Sequence, residues 1–181
     1  MSLPDVQVQR LEEFQIPRKT QRAIADLLQL CFPGYPAGRS YFKQLPTFRF
    51  LVWYQDFLVA HMAVEHRLLN NAGSLFTIFG IVDLCVHPDF QHRKLGSRLI
   101  MEVETLGKVH DIDFLVLLAR DFDLYQTHGF VPVANDCQWV VIHDHHTYGV
   151  ANRSLGEGLM VKPLGQQPWA QGLVDFLGHI F

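Results

Sequence analysis

The sequence predicts a single α/β domain spanning residues 1–181, and three observations carry that expectation. Residues 47–87 hold three long runs rich in aromatic and β-branched residues, divided by short turns, the pattern of consecutive strands. From Gln91 to about His110 the period changes. Leu95, Leu99, Ile100, Val103 and Leu106 recur at helical spacing. Next comes DFLVLLA (113–119), a continuous apolar run of the kind a strand buried on both faces needs. Strand, helix and buried strand in that order predict one parallel crossover after a mostly antiparallel first half.

Each element follows from local chemistry. DVQVQR (5–10) alternates apolar and polar, as a half-buried strand does. After Pro17, Ile24, Leu27, Leu28 and Cys31 share one helical face, with Thr20 as the expected N-cap and PGYPAG as the stop. A second short helix is expected over 38–45, before Pro46. TFRFLVWY and FLVAHMAVEHRLL meet at Gln55-Asp56, and Asn70-Asn71-Ala72-Gly73 turns the chain into SLFTIFGIVDLCVH, which ends at Pro88. Gly80 inside that third strand marks a bulge or a kink.

A short helix over 121–128 stops at Gly129. QWVVIH (138–143) and GLMVKPL (158–164) read as two final strands. The polar stretch between them, 144–157, reads as a long loop suited to gating a substrate. In the tail (165–181), Trp169, Leu173, Phe176, Leu177 and Ile180 fall on one side of a helix that packs on the domain's own sheet or, alternatively, at a homodimer contact. The expected order is β-α-α-β-β-β-α-β-α-β-β, about seven strands and four helices.

Composition narrows the function. Lys and Arg number 15 against 18 Asp and Glu, a formal charge of −3, which argues against binding nucleic acid. Apolar residues make up 49% and charged ones 18%, enough to build a core and too few charges for disorder. No apolar run is long enough to span a membrane, and MSLPDVQVQR lacks the pattern of a secretion signal, so a soluble cytoplasmic protein is the expectation. Cys31, Cys85 and Cys137 are odd in number and far apart, which disfavours a disulfide framework or a zinc site. His143, Asp144, His145 and His146 look like metal ligands, but at a strand end they read as a solvated turn. No metal is expected.

The chemistry concentrates in IVDLCVHPDFQHRKLGSRLIMEVE (81–104), where a buried strand passes through a polar turn into a helix. Amides of such a turn and of the first helical turn have no intrachain partners, and with the helix dipole they attract anions. Arg93, Lys94 and Arg98 add positive charge suited to a phosphorylated ligand. An ordinary strand-turn-helix connection with solvated Lys and Arg is the plainer alternative.

Val86-x-Pro88-x-x-Gln91-x-x-x-x-Gly96-Ser97-x-Leu99 resembles motif A of the GNAT superfamily of acetyl-CoA-dependent N-acyltransferases, written Gln/Arg-x-x-Gly-x-Gly/Ala. Gln91 matches its first position and Gly96 its last, while Lys94 stands where the first Gly usually sits. LYQTHGF (124–130) is similar to the family's Leu-Tyr-x-x-x-Gly-Phe after its fifth strand. The resemblance, carried by the two motifs in order, covers roughly 47–164. The long hairpin ahead of motif A more weakly resembles aminoglycoside 2′-N-acetyltransferases and the nodulation N-acyltransferase group.

The resemblance implies a GNAT fold and acetyl transfer from acetyl-CoA to a primary amine of a small molecule, with no covalent enzyme intermediate. It implies that main-chain groups of Leu84, Cys85 and Val86 pair with the pantetheine arm. It implies further that the loop Gln91, His92, Arg93, Lys94, Leu95, Gly96 and Ser97 holds the diphosphate. Tyr125 takes the family's role of donating to the departing thiolate. Ala119 stands where the family often has an Asn, so one contact to pantetheine is absent.

The general base stays open. Asp83, Cys85 and His87 alternate along one strand and are expected on one face. Asp83 is the favoured base or ligand for the substrate ammonium, and Glu65 on the neighbouring strand is the second candidate. His61 and His66 lie on opposite sides of that strand, so at most one faces a cleft. A Cys85 nucleophile with a His87 base would belong to a different reaction class, and a separation along the strand of about 6.6 Å opposes it. The sequence is also compatible with a longer-chain N-acyltransferase and with a CoA-binding module without turnover.

Overall fold

A computed structural model describes residues 6–181, without the side chain of Glu157, so Asp5 of the first expected strand lies outside the described residues. Among those residues the chain forms β1 (Val6–Glu12), α1 (Arg18–Cys31), β2 (Phe48–Tyr54), β3 (Phe57–Asn71), β4 (Ser74–Val86), α2 (Leu95–Val109), β5 (Phe114–Leu118), α3 (Asp123–Thr127), β6 (Val131–Pro132), β7 (Asp136–His143), β8 (His146–Ser154), β9 (Leu159–Pro163) and β10 (Val174–His179). That is ten strands and three α-helices rather than about seven and four. The chain divides into two units. One is residues 6–64 with Val82–Glu102, the other Glu65–Ile81 with Val103–Phe181. No helix among the described residues is long and apolar enough to cross a membrane.

In the first unit β2 is flanked by antiparallel β1 and β3, with ladders from Val6↔Tyr54 to Glu12↔Phe48 and from Phe48↔Val64 to Tyr54↔Phe57. Helix α1 buries Ile24, Leu27 and Leu28 in a cluster with Ile16, Tyr35, Leu51, Leu58 and Cys85. Its N-cap is Pro17, not Thr20, which sits inside the first turn. Proline's fixed extended backbone (φ −64°, ψ 150°) starts the helix, and the Gln21 amide bonds the Pro17 carbonyl at 2.9 Å. The helix expected over 38–45 does not form. Gly34 and Gly38 adopt φ +86° and +70°, which breaks the chain into isolated turns, and Phe42 and Leu45 are exposed, so no apolar stripe exists to dock a helix.

The second unit orders its strands β6-β9-β5-β4-β3-β10-β7-β8. β4 and β5 are parallel, Ile78–Ile81 against Phe114–Leu117, joined by the expected crossover through α2. Phe114, Leu115, Val116 and Leu117 are all buried, as a strand covered on both faces requires. A second parallel pairing, β10 with β7, is not foreshadowed by the sequence. The core holds Leu69, Phe76, Ile78, Phe114, Val116, Trp139, Val161, Val174 and Phe176, among others.

Three expectations fail in this unit. Residues 144–157 are not a gating loop. Asp144 and His145, at φ +42° and +64°, form a two-residue hairpin turn, and β8 pairs with β7 from His143↔His146 to Asp136↔Ser154. The tail is not helical. β10 lies between antiparallel β3 and parallel β7, and its buried residues Val174, Phe176 and Ile180 fall at even spacing, whereas Leu173 and Leu177 are exposed. Gly80 is neither bulge nor kink. It pairs in register with Val116, and a Cβ there would lie 2.1 Å from the Phe181 ring, so its missing side chain makes room for that ring.

Candidate active site

In the first unit β4 runs through a 3₁₀ turn, Pro88–Phe90, into the segment Gln91–Lys94 and then α2. The turn is held from within: the Phe90 amide bonds the His87 carbonyl at 2.8 Å, and the Gln91 side-chain amide donates to the Val86 carbonyl at 3.4 Å. Two residues of the turn are left-handed, His92 at φ +59° and Lys94 at φ +62°. Lys94 thus adopts at motif A's first Gly position the conformation that glycine takes without steric cost, at an expense of about 1–2 kcal/mol. The Arg98 amide makes the helical bond to Lys94 O at 2.9 Å, so the amides ahead of it belong to the unsatisfied first turn of α2. Arg93 lies over the Phe90 ring at 5.4 Å and donates to Asp89 O, and Arg98 reaches back to Val6 O at 3.2 Å. Arg93 and Lys94 are both exposed cations at the helix start.

The last residues of β4 carry the expected base. The β4–β5 ladder covers Ile78–Ile81, and β4 continues to Val86 beyond it. Asp83 sits in this extension with φ +52°, a left-handed residue inside a strand, so the strict alternation expected from Asp83 to His87 begins at a distorted residue. One carboxylate oxygen of Asp83 accepts the Tyr35 hydroxyl at 2.6 Å, and its carbonyl accepts His61 Nδ1 at 2.9 Å. His61 Nε2 faces Arg49 Nη1 at 2.9 Å, and Arg49 grips Glu13 with Nε (2.6 Å) and Nη2 (3.2 Å). Arg49 and His61 are completely buried and Glu13 nearly so. Burial, then the Asp83 charge and hydrogen bond, push the Tyr35 phenol far above its usual range, so it stays a donor to the carboxylate. Burial and then the Arg49 charge lower His61 to about 3, which keeps its ring neutral.

A cysteine nucleophile finds little support here. A hydrogen bond from the Cys85 thiol to Cys31, then burial, raise Cys85 well above its usual range, the reverse of what a nucleophile needs. Cys85 packs in the α1 core, while His87 Nδ1 accepts from the Asp89 amide at 3.3 Å and its ring lies edge-on to Phe90.

The remaining candidates belong to the second unit. Both oxygens of Glu65 are engaged, Oε2 by Arg67 at 2.7 Å and Oε1 by His179 at 3.1 Å. His66 is exposed and packs edge-on to Phe79. Tyr125, half-buried in the five-residue α3, meets the Phe130 ring at 5.8 Å, and its carbonyl accepts the Phe130 amide across Gly129, whose φ is +81°. His143 and His146 flank the hairpin turn. Among the described residues no cluster of His, Cys, Asp or Glu is arranged to hold a metal ion.

Tyr35, Arg49 and His61 were not singled out with Asp83 by sequence reasoning. A signal existed for two of them. Arg49 and His61 interrupt apolar strand runs, and a buried charge or imidazole demands a partner. Which partner it finds depends on pairing between distant segments.

The mixed sheet has a parallel crossover whose first strand leads through a tight turn into a helix, a frame that can be compared with known folds. Residues 46–132 match the family model described as the acetyltransferase (GNAT) domain. Over that span the chain resembles the GNAT superfamily, and it shares the fold of solved GNAT structures. Among solved structures, the GNAT family N-acetyltransferase YhbS from Escherichia coli, in complex with CoA, shares 16% identity at a TM-score of 0.64, covering 97% of this chain and 92% of that one. A GNAT family acetyltransferase from Brucella melitensis, in complex with acetyl-CoA, shares 15% identity at a TM-score of 0.58, with 94% and 96% covered. Eis1 from Mycobacterium abscessus shares 16% identity at a TM-score of 0.61 over 74% of this chain. The chain spans about a third of the length of Eis1 and of similar proteins from Kribbella flavida and Enterococcus faecalis. No curated protein sequence matches it.

Proposed function

We propose that this protein transfers an acetyl group from acetyl-CoA to a primary amine of a small molecule by direct attack. The observation that carries this reading is the turn Gln91–Ser97, which takes the two left-handed residues it needs and opens onto the first turn of α2. The similar structures from E. coli and B. melitensis hold CoA and acetyl-CoA, which supports the same ligand here. Main-chain groups of Leu84, Cys85 and Val86, in the part of β4 beyond its ladder with β5, are suited to pair with the pantetheine arm as an added strand would.

The chemistry sets three demands. The amine must lose its proton before attack, which for a lysine-like amine at neutral pH costs about 4.6 kcal/mol. Asp83, which accepts the Tyr35 hydroxyl, receives that proton or orients the ammonium before it is lost. The oxyanion of the tetrahedral intermediate needs a donor, supplied in this family by a backbone N–H of the fourth strand. The leaving thiolate needs a hydrogen bond, which Tyr125 donates. Full proton transfer from a phenol to a thiolate is uphill by about 2 kcal/mol, so Tyr125 acts chiefly by hydrogen bonding as charge develops on sulfur.

Release of free thiol from acetyl-CoA, measured against a panel of polyamines, aminosugars, aliphatic and aromatic monoamines, tests this reading. Turnover with at least one amine is expected, and Tyr125→Phe is expected to lower kcat more than it raises the KM for acetyl-CoA. CoA binding without thiol release from any amine would instead favour a module without turnover, the role that Lys94 and Ala119 make conceivable. Turnover only with longer acyl-CoA donors would point to a longer-chain acyltransferase.

A further inference from the structure

A left-handed aspartate inside a strand needs something to hold it, and the buried chain behind Asp83 supplies that hold. Arg49 only donates hydrogen bonds, so the His61 Nε2 it faces at 2.9 Å must accept. A neutral imidazole has one acceptor and one donor nitrogen, so the proton sits on Nδ1. That nitrogen faces the Asp83 carbonyl at 2.9 Å, which only accepts. The three groups therefore admit one protonation pattern. Glu13, gripping Arg49 through Nε and Nη2, leaves Nη1 for the histidine. Burial by itself would favour the neutral ring, and the guanidinium beside it reinforces that state.

We infer that His61 is a positioning residue: locked as the Nδ1–H tautomer by Arg49, it pins the carbonyl of left-handed Asp83 and so sets where the Asp83 carboxylate points. The inference rests on the proposed role of Asp83 in the reaction, but its structural half stands apart from turnover. The backbone of Asp83 is fixed from behind by His61, and the side chain is fixed in front by Tyr35. If the carbonyl loses its donor, the residue relaxes toward the ordinary extended conformation. Successive extended residues point to opposite faces, so that relaxation re-aims the carboxylate. His61 touches neither reacting atom. Its effect passes through Asp83, and misplacement of a reactive group by about 1 Å costs up to a hundredfold in rate.

Two substitutions divide the imidazole's functions. His61→Asn keeps a donor near the place of Nδ1–H, whereas His61→Gln keeps an acceptor near the place of Nε2 and loses the donor to Asp83. With an amine that turns over, His61→Asn is expected to hold kcat within about threefold and His61→Gln to lose tenfold or more, the KM for acetyl-CoA changing little in both. Equal losses in the two variants, or a loss confined to His61→Asn, would overturn the inference. Nitrogen-15 NMR of the unmodified protein gives a reading independent of activity and of variant folding. The His61 ring should be neutral with its proton on Nδ1 from about pH 5 to about pH 8, and carbon-13 shifts of Asp83 should be those of a left-handed residue. A proton on Nε2, a charged ring or extended-type shifts would also overturn it. Failure to release thiol with the expected NMR signature intact would count against the acetyltransferase reading and leave the hold on Asp83 standing.

Discussion

Glu13, Arg49 and His61 form a buried hydrogen-bonded chain in the first unit, and Glu65, Arg67 and His179 form a partly buried one in the second. Both use the same three residue types, and both draw on β3, which contributes His61 to one and Glu65 with Arg67 to the other. They differ in where the chain of bonds ends. In the second unit it closes on itself: both Glu65 oxygens are occupied, and Arg67 Nη2 caps the carbonyls of Phe176 and His179 at 2.7 Å each. That cluster fastens β10. In the first unit the chain runs outward to Asp83, a half-buried carboxylate on a left-handed backbone. Residue type does not distinguish a fastening from a candidate reactive site. The terminus of the network does.

Exchanging the two carboxylates is the strongest way to break this contrast. Asp83→Asn is expected to lower kcat by about 10²–10⁴-fold, the range of a lost general base, with CoA affinity retained. Glu65→Gln is expected to leave kcat within a few-fold. Thiol release under saturating acetyl-CoA decides it, and a collapse of turnover in Glu65→Gln alone would reverse the two assignments.

Stability measurements sharpen the other side. Arg67→Met leaves the Glu65 carboxylate buried with one partner removed and uncaps two carbonyls of β10, so a loss of about 3 kcal/mol in urea unfolding is expected. Burial by itself would raise the Glu65 carboxyl, but hydrogen bonds from His179 and Arg67, and their charges, bring it below its usual 4.5. A carboxyl lowered by folding stabilises the native state above its unfolded pKa, and that contribution fades as pH falls through the folded value. Thermal midpoints should therefore drop as pH falls below about 4.5, and less steeply in Glu65→Gln. Parallel curves for the two proteins would contradict the role given to Glu65.

The smallest effect is expected next to the same strand. Gly80→Ala places a methyl group against the Phe181 ring, which can swing aside, so about 1 kcal/mol should be lost. In a Phe181→Ala background the alanine should cost little, a coupling that a double-mutant cycle on thermal unfolding would read directly.

The same contrasts explain how far the amino-acid sequence alone discloses the molecule. The crossover β4-α2-β5 was legible because Leu95, Leu99, Ile100 and Val103 hold helical spacing and 114–117 are buried on both faces. β8 was illegible because nearly all of its side chains face solvent, so no alternation marks it. β10 was misread because exposed Leu173 and Leu177 complete an apparent helical stripe with Phe176 and Ile180. The turn between β4 and α2 was legible as a motif even with Lys94 in a glycine position, since φ +62° remains open to a lysine at modest cost. The support behind Asp83 was not legible. Arg49 and His61 announce themselves as oddities in apolar strands, but only the β2–β3 register and the approach of β4 say what they bind.

The proposed acetyl transfer depends most on the turn Gln91–Ser97 accepting a diphosphate. Calorimetric titration with CoA, alongside pantetheine that lacks the nucleotide diphosphate, measures that directly. Saturable binding of CoA, at least about tenfold tighter than pantetheine, is the predicted result, since charge-assisted bonds to the turn amides supply the difference. No heat from CoA, or equal affinity for the two ligands, would contradict it.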